Sequence, residues 1–284
     1  MKTCFIVRSD AHSGHREGHC SPDTELADDV PIQGRAGKHP VSLTAVQQAI
    51  HKVSEDALLW VKNNCRGYQK WYIDLGEVMQ GNLHRENLQT SDMDEQKMIA
   101  VDTIKPFLSV CKGGRFMQGT SWHESSNGTN VKNVVSELKG RFKSKDIQFM
   151  NKLRVNIDGF TIQFSHHGVN TSKIKHLEGN AAYNAAKNML NESLIENESY
   201  PDLVFSAHCH KPSWGTAHVI SGGRYHTCSW AVTAPMCGPG AYSRQVANPS
   251  KYYIGMNIVQ VVDGKLLHIE PIYARLSDYV MEEL

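Results

Sequence analysis

Thr3-Cys4-Phe5-Ile6-Val7-Arg8-Ser9-Asp10-Ala11-His12 is the stretch on which the reading of this chain turns. A short apolar run rich in Phe, Ile and Val has the pattern of a buried strand. It stops at Ser9-Asp10 and leaves a carboxylate and an imidazole, two residues apart, at its carboxyl end. The same grammar recurs down the chain. Trp71-Tyr72-Ile73-Asp74-Leu75 runs into Gly76-Glu77, and Arg115-Phe116-Met117-Gln118 runs into Gly119-Thr120-Ser121-Trp122-His123-Glu124. The strand ending at Phe164 meets Ser165-His166-His167-Gly168, and Leu203-Val204-Phe205 leads to Ala207-His208-Cys209-His210.

Helical patterns separate these strands in the first half. One face carries Val46, Ile50, Val53, Ala57, Trp60 and Val61, with Ser42 or Thr44 to cap its start and Gly67 past its end. A second helix is predicted from about Asp92 to Cys111, kinked or broken at Pro106. Val131, Val134, Val135, Leu138 and Phe142 mark a third. Strand–helix alternation argues for an α/β sheet. The second half is richer in strands: hairpin signals stand at Asp158-Gly159, Ser221-Gly222-Gly223 and Asp263-Gly264, and one helix is expected from about Gly179 to Glu198. No repeat or linker divides the chain, so 1–284 reads as one domain. Residues 13–40 lack either period and read as an insertion or flap beside the strand ends.

Composition narrows the classes. Thirty basic and 29 acidic side chains leave a net charge of +1, so no global field holds long nucleic acid or an anionic membrane. Seven dispersed cysteines without a Cys-x-x-Cys pair read as reduced thiols. No apolar run reaches the roughly 20 residues of a membrane span. The first apolar segment is too short for a signal peptide, so a cytoplasmic location is expected. Fifteen histidines are an excess that points to metal or proton chemistry.

In open α/β sheets, sites form outside the carboxyl ends of the strands. Five clusters of His, Asp and Glu placed there converge in space and offer enough nitrogen and oxygen donors for two divalent metals. The chemistry that needs such a set is metal-assisted hydrolysis. Two cations about 3.5–4 Å apart hold a bridging hydroxide and clamp the attacking and leaving oxygens of an in-line displacement.

This order of motifs resembles the calcineurin-like metallophosphoesterases, whose signature is Asp-x-His, Gly-Asp, Gly-Asn-His-Asp/Glu, His-Gly and Gly-His-x-His at successive strand ends. The resemblance spans residues 10–210. It implies a sandwich of two mixed β-sheets flanked by helices and an enzyme that hydrolyses phosphoesters with two divalent ions, Mn first, with Fe, Zn or Ni as alternatives. It also implies metal ligands at Asp10, His12, Glu77, His167, His208 and His210, with Asp10 bridging. His167, directly before Gly168, matches the fourth motif ahead of its neighbour His166. Glu77 stands where the family has a bridging Asp, with Asp74 as the other carboxylate in reach. The third motif lacks its Asn and looks like the Gly-Thr-x-x-His variant of phage-type members. There His123 would face the phosphate as the catalytic proton donor or charge stabiliser, and Thr120, Ser121 or Glu124 would replace the lost ligand.

The expected partner is a phosphoester substrate: a nucleotide, a cyclic nucleotide or a nucleic-acid end, cleaved as a diester. A phosphomonoesterase or phosphoprotein phosphatase is the alternative within the enzyme class. A non-catalytic metal-binding scaffold is the alternative outside it. Other matches carry less. Gly114-x-x-x-x-Gly119-Thr120-Ser121 lacks the lysine of a P-loop, and His123-Glu124 has no second His four residues on. His15, His19 and His39 read as solvated loop residues, and Trp122, Trp214, Tyr242 and Tyr252 as core or rim packing before base stacking.

Overall fold

β1 (Lys2–Arg8) is buried along all but its first residue, because it lies in the middle of a sheet. In the computed structural model, which describes residues 1–27, 37–83, 87–124, 127–169, 178–239 and 252–276, β1 pairs in parallel with β4 (Gln69–Asp74). On its other side it pairs antiparallel with β12 (Tyr253–Val262). The sheet has six strands in the order β13 (Lys265–Arg275), β12, β1, β4, β5 (Gly113–Met117) and β6 (Asp146–Met150). A second, five-stranded sheet runs β10 (Ser213–Ser221), β11 (Arg224–Val232), β9 (Leu203–Ser206), β8 (Phe160–Ser165) and β7 (Lys152–Ile157). Its three central strands are parallel and its two outer ones antiparallel, so both sheets are mixed.

Side chains alternate across a strand, so each sheet has two faces to cover. Phe5, Val7, Ile73, Leu75, Val259 and Val261 of the first sheet meet Ile157, Ile162, Phe164, Leu203 and Phe205 of the second. Phe164 lies between Phe5 and Phe205 at ring-centroid distances of 5.5 and 5.7 Å, and burying each such ring contributes about 1.5–3 kcal/mol. The outer face of the first sheet is covered by α1 (Ala45–Asn64), α2 (Met93–Val110) and α4 (Thr129–Arg141) through residues such as Ile50, Val53, Phe107 and Leu138. Ala182, Ala186 and Leu190 of α5 (Glu178–Ile195) cover Val204 and Trp230 of the second. This is the two-sheet sandwich with helices outside that the family resemblance implies.

Details depart from expectation for physical reasons. Thr44, not Ser42, caps α1: its hydroxyl accepts from the Gln47 amide at 3.1 Å while the Gln47 side chain accepts from the Thr44 amide. Pro106 does not break α2, which continues to Val110. It forfeits one hydrogen bond near the helix end, and the burial of Ile104, Phe107 and Leu108 outweighs that. β6 follows directly on the charged Lys143–Lys145 run, which hides its pattern.

The described part of 13–40 is packed. Cys20 and Leu26 join Val41 and Ile99 in a small core, and β2 (Glu25–Ala27) pairs with β3 (Lys38–Pro40). His15 and His19 are therefore buried, not solvated, whereas His39 is exposed. Burial holds both buried imidazoles below the ordinary range, His15 to about 4 and His19 with help from nearby Arg8. Residues 28–36 and Tyr242 lie outside the described residues.

Arg8, at 0% exposure, ties the two central strands together. Its guanidinium sits 2.7 and 2.8 Å from Asp74 Oδ2, and its remaining nitrogen donates to Thr103 Oγ1 at 2.9 Å. Breaking one side of a buried pair strands the other charge, at about 3–5 kcal/mol. Asp74→Asn is expected to lower the unfolding free energy in urea by that amount. A loss below about 1 kcal/mol would mean that Thr103 and His19 satisfy the guanidinium alone.

Candidate metal centre

β1 and β4 stay paired beyond their formal ends. The Asp10 amide donates to Gly76 O at 3.0 Å, His12 to Glu77 O at 2.9 Å and Ser13 to Val78 O at 3.1 Å, while the Gln80 amide returns to Ser13 O at 2.9 Å. The spacing of Asp10, His12 and Glu77 is thus set by main chain, not by flexible side chains. Gly76, at φ +113°, lets this pair approach the loop after β5: a Cβ on it would lie 2.7 Å from the Gly119 nitrogen. Gly119 is equally constrained, since its own Cβ would meet Glu77 at 2.6 Å.

Nine non-glycine residues among those described have positive φ. Four are Asn or Asp elsewhere in the chain, and the other five are Asp10, His12, Glu77, His208 and His210. Each such conformation costs on the order of 1–3 kcal/mol and persists where surrounding structure enforces it. Left-handed backbone in three histidines and a glutamate, all at strand ends facing one another, marks a built site.

Glu77 stands at its centre, 2% exposed. Its Oε2 lies 3.0 Å from His12 Nε2 and its Oε1 lies 3.3 Å from His166 Nε2. Thr120 Oγ1 donates to the same Oε1 at 2.6 Å and fixes the carboxylate's rotation. Asp10 Oδ1 lies 3.3 Å from His210 Nε2, and the His208 amide approaches Asp10 Oδ2 at 3.4 Å. Two donor sets result, each with ligand atoms within 4.8 Å of one another: Asp10, His12, Glu77 and His210 in one, and His166, His167 and His208 in the other; a third group, His12, His210 and Cys237, overlaps the first.

The donors fit a cation. Asp10 Oδ1, His12 Nε2 and His166 Nε2 are buried without a hydrogen-bond partner, and a buried unpaired polar atom costs about 1–3 kcal/mol. The opposite ring nitrogens are committed. His166 Nδ1 donates to Leu75 O and His12 Nδ1 to Gln80 Oε1, both at 2.9 Å. A carbonyl oxygen only accepts, so each Nδ1 carries the proton and each Nε2 keeps its lone pair for a metal. Burial alone would push His166 down, yet Glu77, Asp10 and Glu124 hold it up at about 9, so a cation would bind at Nε2 in exchange for a proton. Glu77 stays well below the usual carboxylate range against its own burial because His12 and His166 face it. Nitrogen and oxygen donors of this mix suit borderline first-row metals.

His123 Nδ1 lies 2.8 Å from Gln80 O, which makes it a donor, and the His123 ring stands edge-on to His12 with centroids 4.5 Å apart. Gln80 thereby orients two imidazoles, His12 with its side chain and His123 with its main chain.

The structure brings together Asp10, His12, Glu77, His208, His210, Thr120 and His123, and reorders the rest. His166, placed second to His167 on the motif, is the buried imidazole aimed at Glu77, while His167 lies exposed against His166 and His208. Asp74 is removed from the centre: Arg8 and Tyr72 hold its Oδ2, and the Gly76 amide donates to its Oδ1 at 3.1 Å. Glu124 is a buried clasp. Its Oε1 accepts from the Glu77 amide at 2.5 Å and its Oε2 from Gly119 at 2.7 Å, and burial pushes it up to about 7. Ser121 is exposed at the start of α3 (Ser121–Glu124). Sequence reasoning missed Gln80 and Cys237. Neither belongs to a motif, and only the three-residue offset of Gln80 from Glu77 hinted at it. Tyr252 is buried with its hydroxyl 3.2 Å from His210 Nδ1, whereas Trp122 and Trp214 are 61% and 70% exposed.

No family model matches the chain, and no curated protein matches it. Among solved structures, a Thermotoga maritima protein determined by solution NMR is 11% identical over 95% of this chain and 98% of its own, with a TM-score of 0.34. A metallophosphoesterase from Sphaerobacter thermophilus, a crystal structure, is 13% identical over 100% of this chain and 94% of its own, also at 0.34. Likenesses this distant say nothing about individual residues, so the site stands on its own geometry.

Proposed function

We propose that the chain is a phosphoester hydrolase of the calcineurin-like type that works with two divalent ions. One observation carries the reading: Glu77 turns one oxygen toward each of two donor sets, toward the buried Nε2 of His12 in one and of His166 in the other, and neither nitrogen has a hydrogen-bond partner. Asp10, His12, Glu77 and His210 would hold one ion, and Glu77, His166, His167 and His208 the other. When bound, such a pair activates water and neutralises charge on the transferring phosphoryl group. The chain's own contribution is to fix the distance between the ions through paired main chain. It also holds His12 and His166 in their Nδ1–H tautomers. His123, oriented through its Nδ1–H bond to Gln80 O, would donate the Nε2 proton of its imidazolium to the leaving oxygen. Thr120 keeps the bridging carboxylate from rotating.

We place the substrate among phosphodiesters of nucleotides: a cyclic nucleotide, a nucleotide or a nucleic-acid end. Trp122, exposed directly beside His123, supports this, because an indole there can stack on a base. Mn is the first metal to try, with Fe, Zn and Ni next. The test is turnover of bis-para-nitrophenyl phosphate, para-nitrophenyl phosphate, cyclic nucleotides and short single-stranded DNA, with the metal content of the protein measured alongside. Metal-dependent release is expected, faster from the diester than from the monoester. The reverse preference would favour a phosphomonoesterase. Two bound ions with no turnover of any substrate would leave the metal-binding scaffold. Among the described residues no helix is long and apolar enough to cross a membrane.

A further inference from the structure

We propose that Cys237 is a thiolate ligand of the ion held by Asp10, His12 and His210, which gives that position a mixed nitrogen, oxygen and sulfur donor set. The inference rests on the two-ion reading above and deepens it.

Cys237 follows β11 and is 4% exposed. Its backbone is locked onto the segment that follows β1. Gly18 bridges to Cys237, the Met236 amide donates to Ser9 O at 2.9 Å and the Gly238 amide donates to Glu17 O at 2.6 Å. That places Sγ within 4.8 Å of a ring nitrogen of both His12 and His210. His12, 7% exposed, keeps Nε2 without a hydrogen-bond partner in the same space. Sγ also faces the Tyr252 hydroxyl at 4.0 Å, too distant to hold it firmly, and that hydroxyl steadies His210.

Five other cysteines (Cys4, Cys20, Cys65, Cys111 and Cys228) are buried in apolar clusters, and Cys209, between two of the histidines, packs against the core under α5. Thiolate is a soft donor. Its presence shifts preference at this position from Mn and Mg toward Zn, Fe(II) and Co(II).

The test uses the full chain loaded with Co(II), with cobalt content measured by elemental analysis. A bound thiolate adds a sulfur-to-cobalt charge-transfer band in the near ultraviolet, separate from the visible ligand-field bands. The band is expected in the wild type and in Cys209→Ser, and absent in Cys237→Ser, which should still bind cobalt and show visible bands. The same variant should lose about tenfold or more in its preference for Co(II) over Mn(II), since even partners one step removed from a metal are worth 10–100-fold in affinity. Should Cys237→Ser fail to fold, X-ray absorption on zinc-loaded wild type and Cys209→Ser decides the matter, through a Zn–S distance of about 2.3 Å present in both. Cobalt bound without the band, or a band that survives Cys237→Ser, overturns the thiolate and leaves the two-ion reading standing. Protein that binds no cobalt or zinc overturns both.

Discussion

On the two-ion reading, Glu77→Gln is expected to leave protein that folds, loses at least one ion on dialysis, and turns over at least about 10³-fold more slowly. The amide keeps the volume of the carboxylate, and its oxygen can still accept from Thr120. What it lacks is a charge and a second oxygen, the two properties that let one residue serve both donor sets. Metal polarisation is worth several kcal/mol in the transition state, and each 1.36 kcal/mol is tenfold in rate. Elemental analysis of the dialysed protein and initial rates at saturating metal check the two halves separately. Retention of both ions with less than a tenfold loss would transfer the bridging role to Asp10, whose Oδ1 is also buried and faces His210 Nε2 at 3.3 Å.

His123→Ala separates metal binding from chemistry. The ring of His123 lies against His12 but belongs to neither donor set, so its removal should leave both ions in place. Loss of general acid help costs typically 10²–10⁴-fold. Turnover of a substrate with an alkoxide leaving group should fall by that amount. An ester whose leaving group is a nitrophenolate needs no proton and should fall far less. If His123→Ala loses an ion instead, the histidine has taken the place of the Asn that the third motif lacks, and the proton must come from another group.

The fold was legible wherever one physical signal dominated. β1, β4, β8 and β9 announce themselves as apolar runs that end at polar clusters. Asp158-Gly159 and Asp263-Gly264 supply the positive φ values that tight hairpins need. β2 and β3 are too short to show a period, and β6 has a single buried residue behind a run of lysines. The site was legible as residue types at strand ends, because ligand chemistry restricts the side chains that can serve. Which of two adjacent residues turns inward was not. His166 and His167 differ only by where the strand stops, and the left-handed backbone at five positions depends on contacts between loops far apart in sequence. Asp74 illustrates the same limit: its pairing with Arg8, across two parallel strands, is a tertiary fact.

The pairing of β1 with β12, Lys2 opposite Val262, governs the order in which the molecule can be built. As the chain is synthesised, β1, β4, β5 and β6 can align in parallel early. One long edge of β1 then remains an open ladder until Tyr253–Val262 has emerged. Closing so distant a contact is slow, and a nascent sheet with an unpaired central strand invites association with other chains. His210 also arrives late, so Asp10 waits without the imidazole it faces through most of translation. A truncated chain ending before β12 should therefore be found in aggregates, and a circular permutant that joins β12 directly to β1 should refold faster than the natural order does.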